Sequence, residues 1–144
     1  MDHVQAKEDN KRPYQNIWGF GSIPQSTKVG AFVDIGSPRI GENCTIQCHV
    51  SIPPGWTIGN NVFIGPGVRF ANDKHPQANG KWEQLDGWVQ DDVVIGMGAL
   101  IAPGVTLEKG CVIGMGAVVL TDVPAGKTYV GNPAKELKKP IDDL

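Results

Sequence analysis

From Ile40 onward an aliphatic or aromatic residue returns at every sixth position: Ile40, Ile46, Ile52, Ile58, Ile64 and Phe70. The series breaks once, then resumes as Val89, Ile95, Ile101, Leu107, Ile113 and Val119. Val29 and Ile35 precede it, with one residue missing ahead of Ile40. Four positions after most anchors stands a second apolar or small residue: Cys44, Val50, Trp56, Val62 and Val68, then Val93, Ala99, Val105, Cys111, Ala117 and Val123. That residue lies two places before the next anchor, so strand alternation puts both on one side of the chain.

A longer period is layered on the first. Ile95-Gly96-Met97-Gly98-Ala99 reappears 18 residues later as Ile113-Gly114-Met115-Gly116-Ala117, three hexads on. Three short strands joined by glycine-containing turns make one three-sided coil. Pro66-Gly67 and Pro103-Gly104 suit such corners, since proline presets one turn position and glycine accepts positive φ at the next. The 3.6-residue period of a helix is absent, and so is the 8–12-residue strand spacing of sandwiches and barrels. The 19 glycines and 11 prolines belong to corners and not to low-complexity disorder or collagen, whose period they lack. The sequence predicts an all-β parallel β-helix whose coils bury their aliphatics only by stacking on one another. Trp56 is the misfit: it is far larger than its counterparts, and is expected to distort its coil or reach an interface.

Length and charge set the remaining limits. At 144 residues the chain makes one domain. The expected division is a flexible segment over 1–15, the β-helix over 16–128 with an inserted loop at 71–88, and a tail over 129–144. Thirteen Lys+Arg against fifteen Asp+Glu, with no basic run beyond two residues, exclude a nucleic-acid partner. No apolar stretch is long enough to span a membrane, and the first ten residues lack a signal-peptide core, so a cytoplasmic location is expected. Three sparse cysteines suit that compartment. Cys44-x3-Cys48-His49 has an allowable zinc spacing, but no second ligand pair exists, so no metal is expected.

Function has to sit where the repeat is interrupted. Phe70 and Val89 are 19 residues apart instead of six, and the polar segment between them carries Asn72-Asp73, His75-Pro76 and two tryptophans. Long loops on rigid scaffolds are where chemistry is placed. On composition alone, Asn72-Asp73 is equally a turn and His75-Pro76 equally a loop corner.

The hexads, the long loop and the closing Val130-Gly131-Asn132-Pro133-Ala134-Lys135 together resemble the left-handed β-helix (hexapeptide-repeat) acyltransferases, over about residues 22–137. Phe70-Ala71-Asn72-Asp73-Lys74-His75-Pro76 is similar to the Phe-Thr-Asn-Asp-x-(Tyr/His)-Pro segment of N-acetyltransferases acting on nucleotide-linked amino sugars, with Ala71 in place of Thr. The same His-Pro step resembles the maltose and galactoside O-acetyltransferases, in which that His is the base. The resemblance implies a left-handed hand, a homotrimer with active sites in clefts between neighbouring β-helices, and acetyl-CoA as co-substrate. It implies a small sugar acceptor, probed first as a nucleotide-linked one. It places the coenzyme against Gly98 and Ala99, and one coil later Gly116 and Ala117, with Lys135 meeting its phosphates. Each of these also has a plainer role, as corner residue or solvated lysine.

Acyl transfer from a thioester to an amine needs a neutral amine, a stabilised oxyanion and a protonated leaving thiolate. His75 is the expected base, because imidazole accepts a proton at neutral pH. Asn72 can orient the amine through its carbonyl oxygen, Asp73 can hold the His75 tautomer or pair with the substrate ammonium, and a corner N–H can serve the oxyanion. Where relatives carry Tyr at the His position, the cofactor's own sulfur takes the proton, and that route stays open here. His49 reads as a surface or interface residue. A γ-type carbonic anhydrase is excluded because His3, His49 and His75 include no close pair. A catalytically inactive β-helix scaffold and a sugar O-acetyltransferase are the remaining alternatives.

Overall fold

In the computed structural model of the chain, the described residues are 3–4, 14–19, 22–36 and 38–139. Their strands wind into a three-sided parallel β-helix, each side a sheet built from one strand per coil. Face I stacks β1 (His3–Val4), β2 (Asn16–Trp18), β4 (Asp34–Gly36), β7 (Ser51–Ile52), β10 (Arg69–Phe70), β13 (Leu100–Ile101) and β16 (Val118–Val119). Face II stacks β5 (Arg39–Ile40), β8 (Trp56–Ile58), β11 (Gly87–Val89) and β14 (Thr106–Leu107). Face III stacks β3 (Lys28–Val29), β6 (Thr45–Ile46), β9 (Phe63–Ile64), β12 (Val94–Ile95), β15 (Val112–Ile113), β17 (Thr128–Val130) and β18 (Lys135–Glu136). The chain visits faces III, I and II in turn. Register runs anchor on anchor, as in Ile95↔Ile113 and Ile101↔Val119. Only the ends depart from parallel pairing: β1 runs antiparallel to β2, inside the stretch read from sequence as flexible, and β18 antiparallel to β17. No helix of the described residues is long and apolar enough to cross a membrane.

Every anchor from Val29 to Val119 is buried, and so is the whole second series from Cys44 to Val123. The period-six reading of the core therefore holds residue by residue.

Trp56 does not behave as the sequence suggests. It neither bulges the coil nor reaches the surface, but lies in the core at 2% exposure, its ring 4.7 Å from that of Phe70. Space comes from the next coil, where its register partner is Gly87; a Cβ there would stand 2.4 Å from the indole. Gly87 and Trp88 accordingly pair in β11, and the inserted loop spans 71–86.

Candidate active site

The loop leaves the corner between faces I and II and is held at its neck by three hydrogen bonds. The Trp56 indole N–H donates to the Ala71 carbonyl at 2.9 Å. The Leu85 N–H donates to the Asn72 carbonyl at 2.8 Å, closing the loop on itself. The Asn72 side-chain amide donates to the Pro54 carbonyl at 3.0 Å. That acceptor fixes which way the Asn72 amide faces, so its Oδ1 is left for another donor. Pro54 lies one coil of 18 residues before Asn72, and the coil period is the signal that could have marked it in the sequence.

Asp73 and His75 follow directly. The Asp73 carboxylate accepts the His75 backbone N–H at 2.9 Å, an Asx turn that aims the chain and presents the exposed imidazole to solvent. No bond runs from Asp73 to the imidazole ring, so the carboxylate positions the His75 backbone, not its tautomer. Asp73 and His75 are thus joined through the backbone, while the Asn72 side chain is tied to Pro54 and bonds neither of them. Beyond them residues 74–84 are exposed, Trp82 at 58%.

The four corner residues form a second group, between faces III and I. Gly98 and Gly116 stack on successive coils with φ of +71° and +69°, and a Cβ on either would meet nothing within 4 Å. Ala99 and Ala117 point inward with no exposure, so a ligand reaches them only through backbone. The N–H groups of all four are taken by turn or coil bonds of 2.8–3.4 Å, to Pro66, Gly96, Met97 and Gly114. A corner oxyanion donor therefore has to come from another residue. Arg69 N–H and Leu100 N–H occupy the carbonyls of Ala99 and Ala117, whereas those of Gly98 and Gly116 take no backbone donor among the described residues. Between this corner and the loop neck, face I carries an apolar groove of about 270 Å³ lined by Arg69, Ala71, Leu100, Ala102, Val118 and Leu120. Corner and neck occupy opposite edges of one face.

Lys135 is exposed on β18 beside Val130, and the preceding Ala134 donates its N–H to the Val118 carbonyl at 2.8 Å, one residue past Ala117. The neighbouring Glu136 carboxylate is held by Lys127 at 3.2 Å, so the Lys135 ammonium has no ion pair among the described residues.

The family described as bacterial transferase hexapeptide (six repeats) matches residues 37–72 and 86–121, half of the chain, with the gap falling on the loop. The chain belongs to that family. Among curated relatives, a Schizosaccharomyces pombe protein described as a candidate acetyltransferase is 46% identical over 102 residues, 67% of this chain and 47% of that protein. A 2,3,4,5-tetrahydropyridine-2,6-dicarboxylate N-acetyltransferase of Staphylococcus aureus is 39% identical over 83 residues, 58% of this chain and 33% of that one. The chain spans less than half the length of either. Among solved structures, a hexapeptide-repeat acetyltransferase of Vibrio cholerae in complex with acetyl coenzyme A superposes with a TM-score of 0.74 at 29% identity, over 83% of this chain and 70% of that one.

Two of the thiols of this chain serve the core. Cys44 and Cys111 are buried, and burial pushes both up from the ordinary thiol range, Cys111 to about 12. Cys44 points inward and bonds the Gly59 carbonyl, whereas His49 projects at a corner against Phe32. Among the described residues no group of three His, Cys, Asp or Glu side chains is placed to hold a metal ion.

Proposed function

We propose that the chain is an acetyl-CoA-dependent acetyltransferase that acetylates the amine of a nucleotide-linked amino sugar, acting as a homotrimer in the cytoplasm. The observation that carries this reading is the Asn72 amide, whose N–H is tied to Pro54 while its oxygen faces away from that bond, three residues before His75. A neutral primary amine has two hydrogens. One can donate to Asn72 Oδ1 and hold the nucleophile, and the other can leave to His75. A sugar hydroxyl has one hydrogen and cannot do both, so Asn72 favours the amine over the O-acetyl alternative.

The residues also suit the co-substrate, which supplies the acetyl group as an activated thioester. Gly98 and Gly116 give a side-chain-free corner whose two carbonyls take no backbone donor among the described residues, acceptors for the amide N–H groups of a pantetheine arm. Lys135 supplies an unpaired cation for phosphates. His75 takes the amine proton, and Asp73 holds the turn that presents it. The likeness to a neighbour complexed with acetyl coenzyme A supports this reading, as does the N-acetyltransferase relative. Exposed Leu100 and Leu120 on face I, and Phe63 and Val94 on face III, support assembly with further copies.

Coenzyme A should raise the thermal midpoint, as any ligand that binds only the native state does. Lys135→Ala should weaken the shift modestly and make it less dependent on salt. No shift at millimolar coenzyme A would remove the co-substrate from the account.

A further inference from the structure

At the corner between faces III and I, each coil holds one residue in the left-handed region. Register along face I aligns these residues in a single column: Tyr14, Phe32, His49, Gly67, Gly98 and Gly116. The last three are glycines, which adopt such a backbone at no cost. The first three are ring-bearing residues at φ of 73°, 59° and 62°. The equivalent column between faces II and III reads Asn43, Asn61, Asp92, Gly110 and Gly126, all residue types that tolerate this conformation. Tyr14 and Phe32 are bulky residues that rarely adopt this backbone, and such strained positions accompany function.

The rings form a ladder. Tyr14 and Phe32 stack at 5.0 Å and 14°, Phe32 and His49 at 5.2 Å and 16°. That spacing is close to the separation of adjacent strands, about 4.8 Å, so the rings pile up along the coil axis. All three are exposed. The pile stops at His49, because the next rung is Gly67, where a Cβ would meet nothing within 4 Å. The outer face of the imidazole therefore borders an empty rung of one ring's thickness. Two residues along that rung is Arg69, exposed and without an ion pair among the described residues.

We infer that the His49–Gly67 step is a seat for a nucleobase, which stacks on the imidazole as the next ring of the ladder while Arg69 meets the attached diphosphate. The choice of ligand rests on the acetyl-transfer reading, whose acceptor carries a base on a diphosphate; the coenzyme's own phosphates belong to Lys135, beyond Gly116 at the other end of this column.

The test is calorimetric titration of the full chain with uridine, guanosine and thymidine diphosphates, with coenzyme A, and with 4′-phosphopantetheine, which lacks the base. Base–aromatic stacking predicts that His49→Ala weakens the seated probe by roughly 5- to 150-fold. His49→Phe should restore it, and Gly67→Asn, which tolerates the left-handed backbone but fills the rung, should weaken it too. Phosphopantetheine should bind all variants alike. Loss confined to a nucleoside diphosphate assigns the seat to the acceptor; loss confined to coenzyme A overturns that assignment. Unchanged binding of every base-bearing probe by folded His49→Ala overturns the seat, as does equal loss of phosphopantetheine or no binding of any base by the parent chain. Turnover plays no part, so a chain that seats a base yet transfers no acetyl group defeats the reaction and leaves the seat standing.

Discussion

Cys111 is fully out of water, and its thiol is pushed up to about 12 because burial penalises the thiolate. In the unfolded chain a thiol ionises near 9. Between those values the unfolded state has lost a proton that the folded state keeps, so stability is full below pH 9 and falls as pH rises through the window. The slope is at most about 1.4 kcal/mol per pH unit for one such thiol. Cys44 acts in the same direction. Urea unfolding at pH 8 and pH 10.5 should show the loss, and Cys111→Val, which copies Val93 one coil earlier, should lessen it. An identical loss in the variant would mean that other groups set the alkaline limit. At this scale the sequence told which residues face inward, because a period of six with strand alternation leaves no other choice. It did not tell what Asp73 does: a carboxylate two residues before a histidine can turn to the ring or to the backbone, and only the loop's path decides.

Trp56 and Gly87 belong to the scale of strands. They are register partners on face II, separated in sequence by the whole inserted loop. Gly87→Ala would place a methyl 2.4 Å from the indole and should destabilise the chain by about 1–3 kcal/mol through overpacking. Combined with Trp56→Leu, the same substitution should cost less than it does alone, which denaturant midpoints of the four chains would show. Additive losses would mean that the two side chains do not share one space. The misreading of Trp56 from sequence has the same origin. Its bulk was visible, but its compensating glycine lies 31 residues on, where the hexad count had broken. The ring ladder escaped notice for a related reason. Tyr14, Phe32 and His49 are spaced 18 and then 17 residues apart, across the one-residue deletion before Ile40, and hydrophobic periodicity carries no sign of a left-handed backbone.

For the whole molecule, the β-helix acts as a ruler that sets two edges of face I apart, with the loop neck on one and the open corner on the other. A trimer would bring the neck of one copy toward the corner of the next, and light scattering should then give about three times the 15.4 kDa of one chain. A monomer at micromolar concentration would defeat the shared cleft. The most direct test of the central claim is thiol release from acetyl-CoA in the presence of nucleotide-linked amino sugars, followed for the parent chain, His75→Asn and Asn72→Ala. The account predicts turnover in the parent, a fall in kcat of about 10²–10⁴ with little change in KM for His75→Asn, and damage to both parameters for Asn72→Ala. Nearly full activity in His75→Asn beside a dead Asn72→Ala would contradict the base assignment and give the proton to the coenzyme sulfur or to solvent.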